Sequence, residues 1–198
     1  MAESTPCCDL YVHLATPHPP LSVKRSAKRS AKSMTFVTAN QLPALLQPGQ
    51  RLLGLDIGSK TIGLALSDAG RSFASALRTH PRGKFPVDLA MLRQLVDQHQ
   101  VGALIYGWPL TLDGGISPSC QRVQNFADLV AAQLPLPAVL WDERLSTAAV
   151  NRMLIDQADQ SRQKRAAKVD ALAAAWLLQG FLDCLSNAQQ RPSDLSAG

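Results

Sequence analysis

The chain has 198 residues, 46% of them apolar, and a net charge of +5, which is enough length and apolar content for one domain with a sizeable core plus appendages. Residues 1–33 carry five cations against two acids, and the remainder 15 against 13, so the basic balance owes much to the first segment and is weak evidence for a nucleic-acid partner by itself. The four cysteines have no metal-ligand or staple spacing, and no apolar run approaches the roughly 18–20 residues of a membrane span, which sets aside a disulfide framework and a membrane anchor in favour of a reduced cytoplasmic protein.

Residues 1–33 read as a disordered basic tail: Pro-rich from Thr16 to Pro20, then the repeat KRSAKRSAKS. Tyr11 to Ala15 is too short for a signal-peptide core. The tail suits either a nucleic-acid arm or transit peptide, or a gene start set too early with Met34 as the true beginning. The pattern becomes regular from Met34, so the domain is expected over 34–188, with a disordered tail at 189–198.

Thr38 to Leu46 reads as a short helix closed by Pro48-Gly49. Arg51 to Ile57 is nearly all apolar, a strand buried on both faces. Gly58 to Thr61 turns it into a second strand, Ile62 to Ser67, and Ser72 to His80 makes a third. Pro86 to Gln98 is helical, with Leu89, Leu92, Leu95 and Val96 on one face. Val101 to Tyr106 is a fourth strand, stopped by Gly107-Trp108-Pro109, and Asp113-Gly114-Gly115 is a turn. Ser117-Pro118 caps and starts a helix striped by Val123, Phe126, Ala127, Val130 and Leu134. Ala138 to Trp141 is a fifth strand ending at acids. Ser146 can cap a helix through about Asp156, and a long last helix covers about Gln163 to Leu185, with Val169, Leu172, Ala173, Trp176, Leu177 and Gly180 inward. Three strands, then alternating helices and strands, give an α/β fold with a five-stranded mixed sheet flanked by helices, an order that suits the ribonuclease H-like fold.

Three separated, strongly patterned segments each bring acids: Asp56 in LLGLDIGSKTIGLALSD, Asp142-Glu143 in VLWDERLST, and Asp170 in KVDALAAAWLLQ. A carboxylate at the end of a buried strand is costly unless a cation or donors meet it, so Asp56 is the first candidate metal ligand. The competing reading is a turn-capping Asp before Gly58. Strand neighbours point to opposite faces, so one of Asp142 and Glu143 is expected at the metal, and Glu143 is the choice. Asp142 would then hold a backbone amide or Arg144. Asp170, in the first turns of the last helix, could instead be a favourable helix-dipole charge worth roughly 0.3–1 kcal/mol. Yet Arg162, Lys164, Arg165 and Lys168 crowd the same helix start, where the dipole disfavours cations, and this points to an external polyanion. Lys60, Arg144, Thr147 and Asp113 are candidate substrate contacts. Trp108 could stack on a base or anchor its loop. The four histidines are scattered and receive no role.

DIGSKTIGLALSD, GWPLTLDG, DERLST and SRQKRAAKVDALAAAWLLQGFLD together resemble the YqgF-type family of pre-16S rRNA nucleases, relatives of Holliday-junction resolvases. The resemblance runs from about Leu52 to Leu185, in order and with ordinary spacing. It implies a ribonuclease H-like fold, a divalent-metal (Mg²⁺ or Mn²⁺) nuclease, RNA as partner and a cytoplasmic role in ribosomal RNA maturation. Carried over by position, it makes Asp56, Glu143 and Asp170 the catalytic and metal-binding acids. In resolvase relatives a further acid usually ends the fourth strand. Gly107-Trp108-Pro109 stands there instead, which weakens direct resolvase chemistry.

The expected mechanism is metal-assisted hydrolysis of a phosphodiester, with one or two ions in the acidic cage. Three rival readings are open: a resolvase of branched DNA using the same site, a non-catalytic RNA-binding assembly factor, and a nucleotide-binding protein suggested by DIGSKT. The last needs two such domains. A monomer or weak homodimer is expected.

Overall fold

The computed structural model describes residues 36–109, 117–142 and 162–189, with residues 162–168 and 189 described by backbone. Five strands form one sheet in the order β3-β2-β1-β4-β5: β1 Arg51–Ile57, β2 Thr61–Ser67, β3 Ala74–Pro81, β4 Val101–Trp108 and β5 Ala138–Asp142. The β1–β2 and β2–β3 pairs are antiparallel, and β1–β4 and β4–β5 are parallel. Three helices complete the described chain: α1 Phe85–His99, α2 Pro118–Ala131 and α3 Arg162–Gln189. A hairpin-led mixed sheet with crossover helices is the ribonuclease H-like arrangement that the element order implied.

β1 is buried on both faces because helices cover both. Leu53, Leu55 and Ile57 point to α1 and α2, while Leu52 points with Ala65, Ile105 and Val139 to α3. Each fully buried Leu contributes roughly 1.5–3 kcal/mol, so the two cores hold the central strand from opposite sides. The α2 stripe is as expected: Val123, Phe126, Ala127, Val130 and Leu134 are all buried. Its N-cap is also as expected, with the Ser117 hydroxyl accepting the Cys120 amide at 3.2 Å. Gln100 takes a left-handed φ of 52°, ending α1 and leading at once into β4.

At the far end of the hairpin, Asp68 shapes the β2–β3 turn. Its carboxylate accepts the amides of Phe73, Ser72 and Gly70, and these bonds hold it below the usual carboxylate range.

Three expectations need correction. The helix expected over Thr38 to Leu46 shrinks to a 3-10 turn, Leu42–Leu45, since Pro43 lacks an amide and Pro48-Gly49 closes the segment. The inward face of α3 is rotated: Ala171, Ala174, Leu177, Leu178, Phe181, Leu182 and Leu185 are buried, whereas Leu172, Ala173, Trp176 and Gly180 are only half-buried. Apolar residues surround this helix, so periodicity could not choose a face; small residues against the sheet choose it. Finally, Val169–Ala188 is 20 residues long with hydropathy 1.3, long and apolar enough to span a membrane. Its buried face is taken up by the sheet, as in the core helix of a globular domain. The helix expected over 146–156 lies outside the described residues.

Candidate active site

Strand alternation places Asp56, one residue before the end of β1, on the α3 face with Leu52 and Gly54. Its partner on β2 is Gly63. A Cβ on Gly63 would overlap the backbone carbonyl of Asp170, and one on Gly54 would stand 2.9 Å from the Leu178 Cβ. The absence of both side chains lets α3 lie directly on β1 and β2, and this close approach brings Asp170 beside Asp56. Burial first, and the Asp170 charge second, push the Asp56 carboxyl up to about 6.

Two carboxylates side by side, one of them desolvated and raised by the charge of the other, form a site short of positive charge. Hard oxygen donors of this kind suit Mg²⁺ or Mn²⁺, so the residues present fit the cation the resemblance implies. Among the described residues no third ligand joins them. Glu143, the expected third acid, lies outside the described residues, as do Arg144, Thr147 and Asp113.

Asp142 is described, and its position bears on that choice. It pairs with Trp108 across β4–β5, two residues along from Tyr106↔Leu140, on the α1/α2 face of the sheet. Asp56 points to the other face. Asp142, only 6% exposed, therefore does not share the side of Asp56.

The helix-dipole reading of Asp170 weakens, because α3 begins at Arg162 and its first turn contains no acid. Dipole stabilisation fades within that first turn, and Asp170 lies beyond two turns. Arg162, Lys164, Arg165 and Lys168 do occupy the N-terminal turns of α3, upstream of Asp170 and at the same sheet edge. Lys60 is exposed in the turn joining β1 to β2. Trp108 is half-buried against the α1/α2 core, which favours loop anchoring over base stacking. Pro109, the next residue, is held against the start of α2: the Ser117 hydroxyl and the Cys120 thiol both donate to its carbonyl at 3.2 Å.

Two features have no signal in the sequence. His80, to which the sequence assigns no role, pairs through Nε2 with the buried Asp88 at 3.1 Å, and Asp88 also accepts the Gly83 amide at 3.0 Å. Arg82 donates to the Gly58 carbonyl at 3.0 Å, two residues past Asp56. Both contacts join residues that only the β3–α1 corner brings together.

The ends of β1, β4 and β5 thus share one edge with the start of α3, the location where open sheets collect their sites. Residues 50–184 match the family described as RuvX: Holliday junction resolvase. A relative from Paramagnetospirillum magneticum, named "Putative pre-16S rRNA nuclease", is 49% identical over 150 residues, covering 76% of this chain and 96% of its own. One of the same name from Methylocella silvestris is 53% identical over 144 residues, covering 73% and 89%. Among solved structures, the yeast mitochondrial Holliday junction resolvase Ydc2 aligns with a TM-score of 0.47 and 14% identity over 77% of this chain and 86% of that one. With the matched span covering both carboxylates and every described strand, the chain belongs to the RuvX family, the YqgF-type group that its four motifs resemble.

Proposed function

We propose that this protein is a divalent-metal-dependent nuclease that cleaves precursor 16S rRNA near its 5′ end, in the cytoplasm and as a monomer or weak homodimer. The observation that carries this reading is the half-buried, desolvated Asp56 beside Asp170 at the sheet edge, with the cationic start of α3 upstream. The names carried by the relatives support the RNA substrate.

Asp56, Asp170 and Glu143 would hold the cation, which when bound would supply Lewis-acid polarisation of the scissile phosphate and a more acidic water. The chain's own residues do the rest. Asp56 is held by β1 and Asp170 by α3, so both ligands stand on regular elements rather than on loops. Lys60, Arg144 and the cations from Arg162 to Lys168 draw in the phosphodiester backbone, while Thr147 and Asp113 contact the substrate beside them.

The test is cleavage of a precursor 16S rRNA 5′-end fragment, with Mg²⁺ or Mn²⁺, by wild type and Asp56→Asn. Cutting should require the metal and fall by on the order of a hundredfold or more in the variant. Wild-type rates in Asp56→Asn would remove the site assignment. A second reading, cleavage of four-way DNA junctions by the same acids, is favoured by the family description and is tested by offering both substrates side by side.

A further inference from the structure

The sheet edge that carries Asp56 has a second side, facing α1 and α2. Four cations lie on the elements that meet there: Lys60 in the β1–β2 turn, Arg82 and Lys84 in the β3–α1 loop, and Arg122 in the second turn of α2. Arg82 is the most constrained of them. Its amide donates to the Lys60 carbonyl at 2.9 Å, its Nη1 to the Gly58 carbonyl at 3.0 Å, and its guanidinium lies 5.3 Å from the Phe126 ring centroid. Phe126 is itself fixed, 3% exposed and edge-on to Phe85 at 6.0 Å.

A guanidinium has five N–H donors, and among the described residues Arg82 directs one to an acceptor. A half-exposed fork aimed by three elements, with donors to spare, is the form of a phosphate contact. Arg122 stands one turn before Phe126, and so on the same side of α2 as the Arg82 stack. Lys84 occupies the N-cap of α1 without a side-chain cap bond, where the helix dipole opposes a cation. The nearby acid, Asp88, is turned inward. Asp88 is 1% exposed, and its Oδ1 is committed to the Gly83 amide and His80, holding the loop that presents Arg82 and Lys84.

We propose that Lys60, Arg82, Lys84 and Arg122 form a second grip on the substrate, taking the phosphodiester backbone of an RNA strand some nucleotides away from the bond cleaved at Asp56 and Asp170. This rests on the nuclease reading and extends it. Asp56 faces α3 while Arg82 lies over Phe126 of α2 and Lys84 starts α1, so a strand held at both places crosses the edge of the sheet at the β1–β2 turn. The distance between grip and acids then helps set where the cut falls.

The test uses a fluorescein-labelled single-stranded RNA from the 16S 5′ leader, bound by full-length Asp56→Asn protein between 50 and 200 mM KCl. Adding Lys84→Gln and Arg122→Gln, two exposed side chains with no described tertiary bond, should weaken binding about tenfold. It should also flatten the log–log salt slope by about 1.4, or roughly 0.7 for each phosphate of the single strand that the protein no longer neutralises. Arg82→Lys, which keeps the charge and removes the fork, should cost several-fold. Arg93→Gln, a distant cation on α1 that donates to Gln133, controls for net charge and should change nothing. A four-way DNA junction run in parallel identifies the strand: weakening on RNA alone assigns the grip to RNA, and weakening on the junction alone assigns it to DNA. If the double substitution leaves affinity and salt slope unchanged on both, while Asp56→Asn binds normally, the grip is refuted and the nuclease reading stands. If Asp56→Asn binds neither nucleic acid and wild type cuts neither, both fall together.

Discussion

At the scale of single residues, Asp56 and Gly63 determine what the site can do. Asp56 has an ordinary value of 3.8 and is raised to about 6 in the folded protein. The native state therefore binds this proton more tightly than the unfolded chain does, and stability declines as pH rises from about 4 through 6. A two-unit shift corresponds to about 3 kcal/mol, reduced where neighbouring groups relax. Metal-free Asp56→Asn should accordingly melt about 5–10 °C above wild type at pH 8, with the gap closing below pH 4; calorimetry across that range checks it. Cleavage has the opposite dependence, since only the ionised carboxylate ligates. At limiting Mg²⁺ the rate should rise through about pH 6, with the midpoint moving lower as Mg²⁺ increases. Gly63 matters for a steric reason, because any side chain there meets the Asp170 backbone. Gly63→Ala should lower metal-dependent cleavage more than tenfold and stability by about 1–3 kcal/mol. Gly54→Ala meets Leu178 two turns farther along α3, so it should lower stability similarly yet leave kcat much closer to wild type. Equal loss of kcat in the two variants would sever the link between helix approach and catalysis.

At the scale of elements, the sequence is legible wherever one period dominates. β1 to β5, α1 and α2 fall within a few residues of the expected bounds, because their apolar residues are confined to one pattern and turn residues punctuate them. α3 is legible in length but not in orientation. Leu172 and Trp176 are as apolar as Leu178 and Phe181, and what selects the buried face is a pair of glycines more than a hundred residues earlier. Of the site, Asp56 and Asp170 are legible from their motifs, and strand parity separates Asp142 from Asp56. Arg82 and the His80–Asp88 pair are not, since charged residues near a loop carry no periodic signal and their partners are set by tertiary contact. One further element lies before β1: the Val37 amide donates to the Ala138 carbonyl at 2.9 Å, and Phe36 bridges to the start of β5. A chain beginning at Met34 retains this hook, so it should melt within about 2 °C of full length and cut RNA comparably. Removing three more residues should expose the edge of β5 and lower the melting temperature measurably.

At the scale of the whole molecule, both faces of one sheet are in use for different purposes. The α1/α2 face supports the cationic corner at Arg82, and the α3 face supports the acids. On the proposed reading, a second substrate grip and the cleaving acids occupy opposite sides of one sheet, which suits a long, flexible polymer better than a small molecule. The position of α3 along the chain has a temporal consequence. Asp56 is synthesised early, whereas Asp170 and the helix that carries it follow more than half the chain later. A nascent chain lacking α3 would present Leu52, Ala65, Ile105 and Val139 uncovered, with half of its carboxylate pair missing. Domains fold as they emerge, and contacts between distant segments form last. On the proposed assignment the chain would lack its second acid until late in translation, and the ribosome making it would be spared a nuclease until the final helix closes over the sheet.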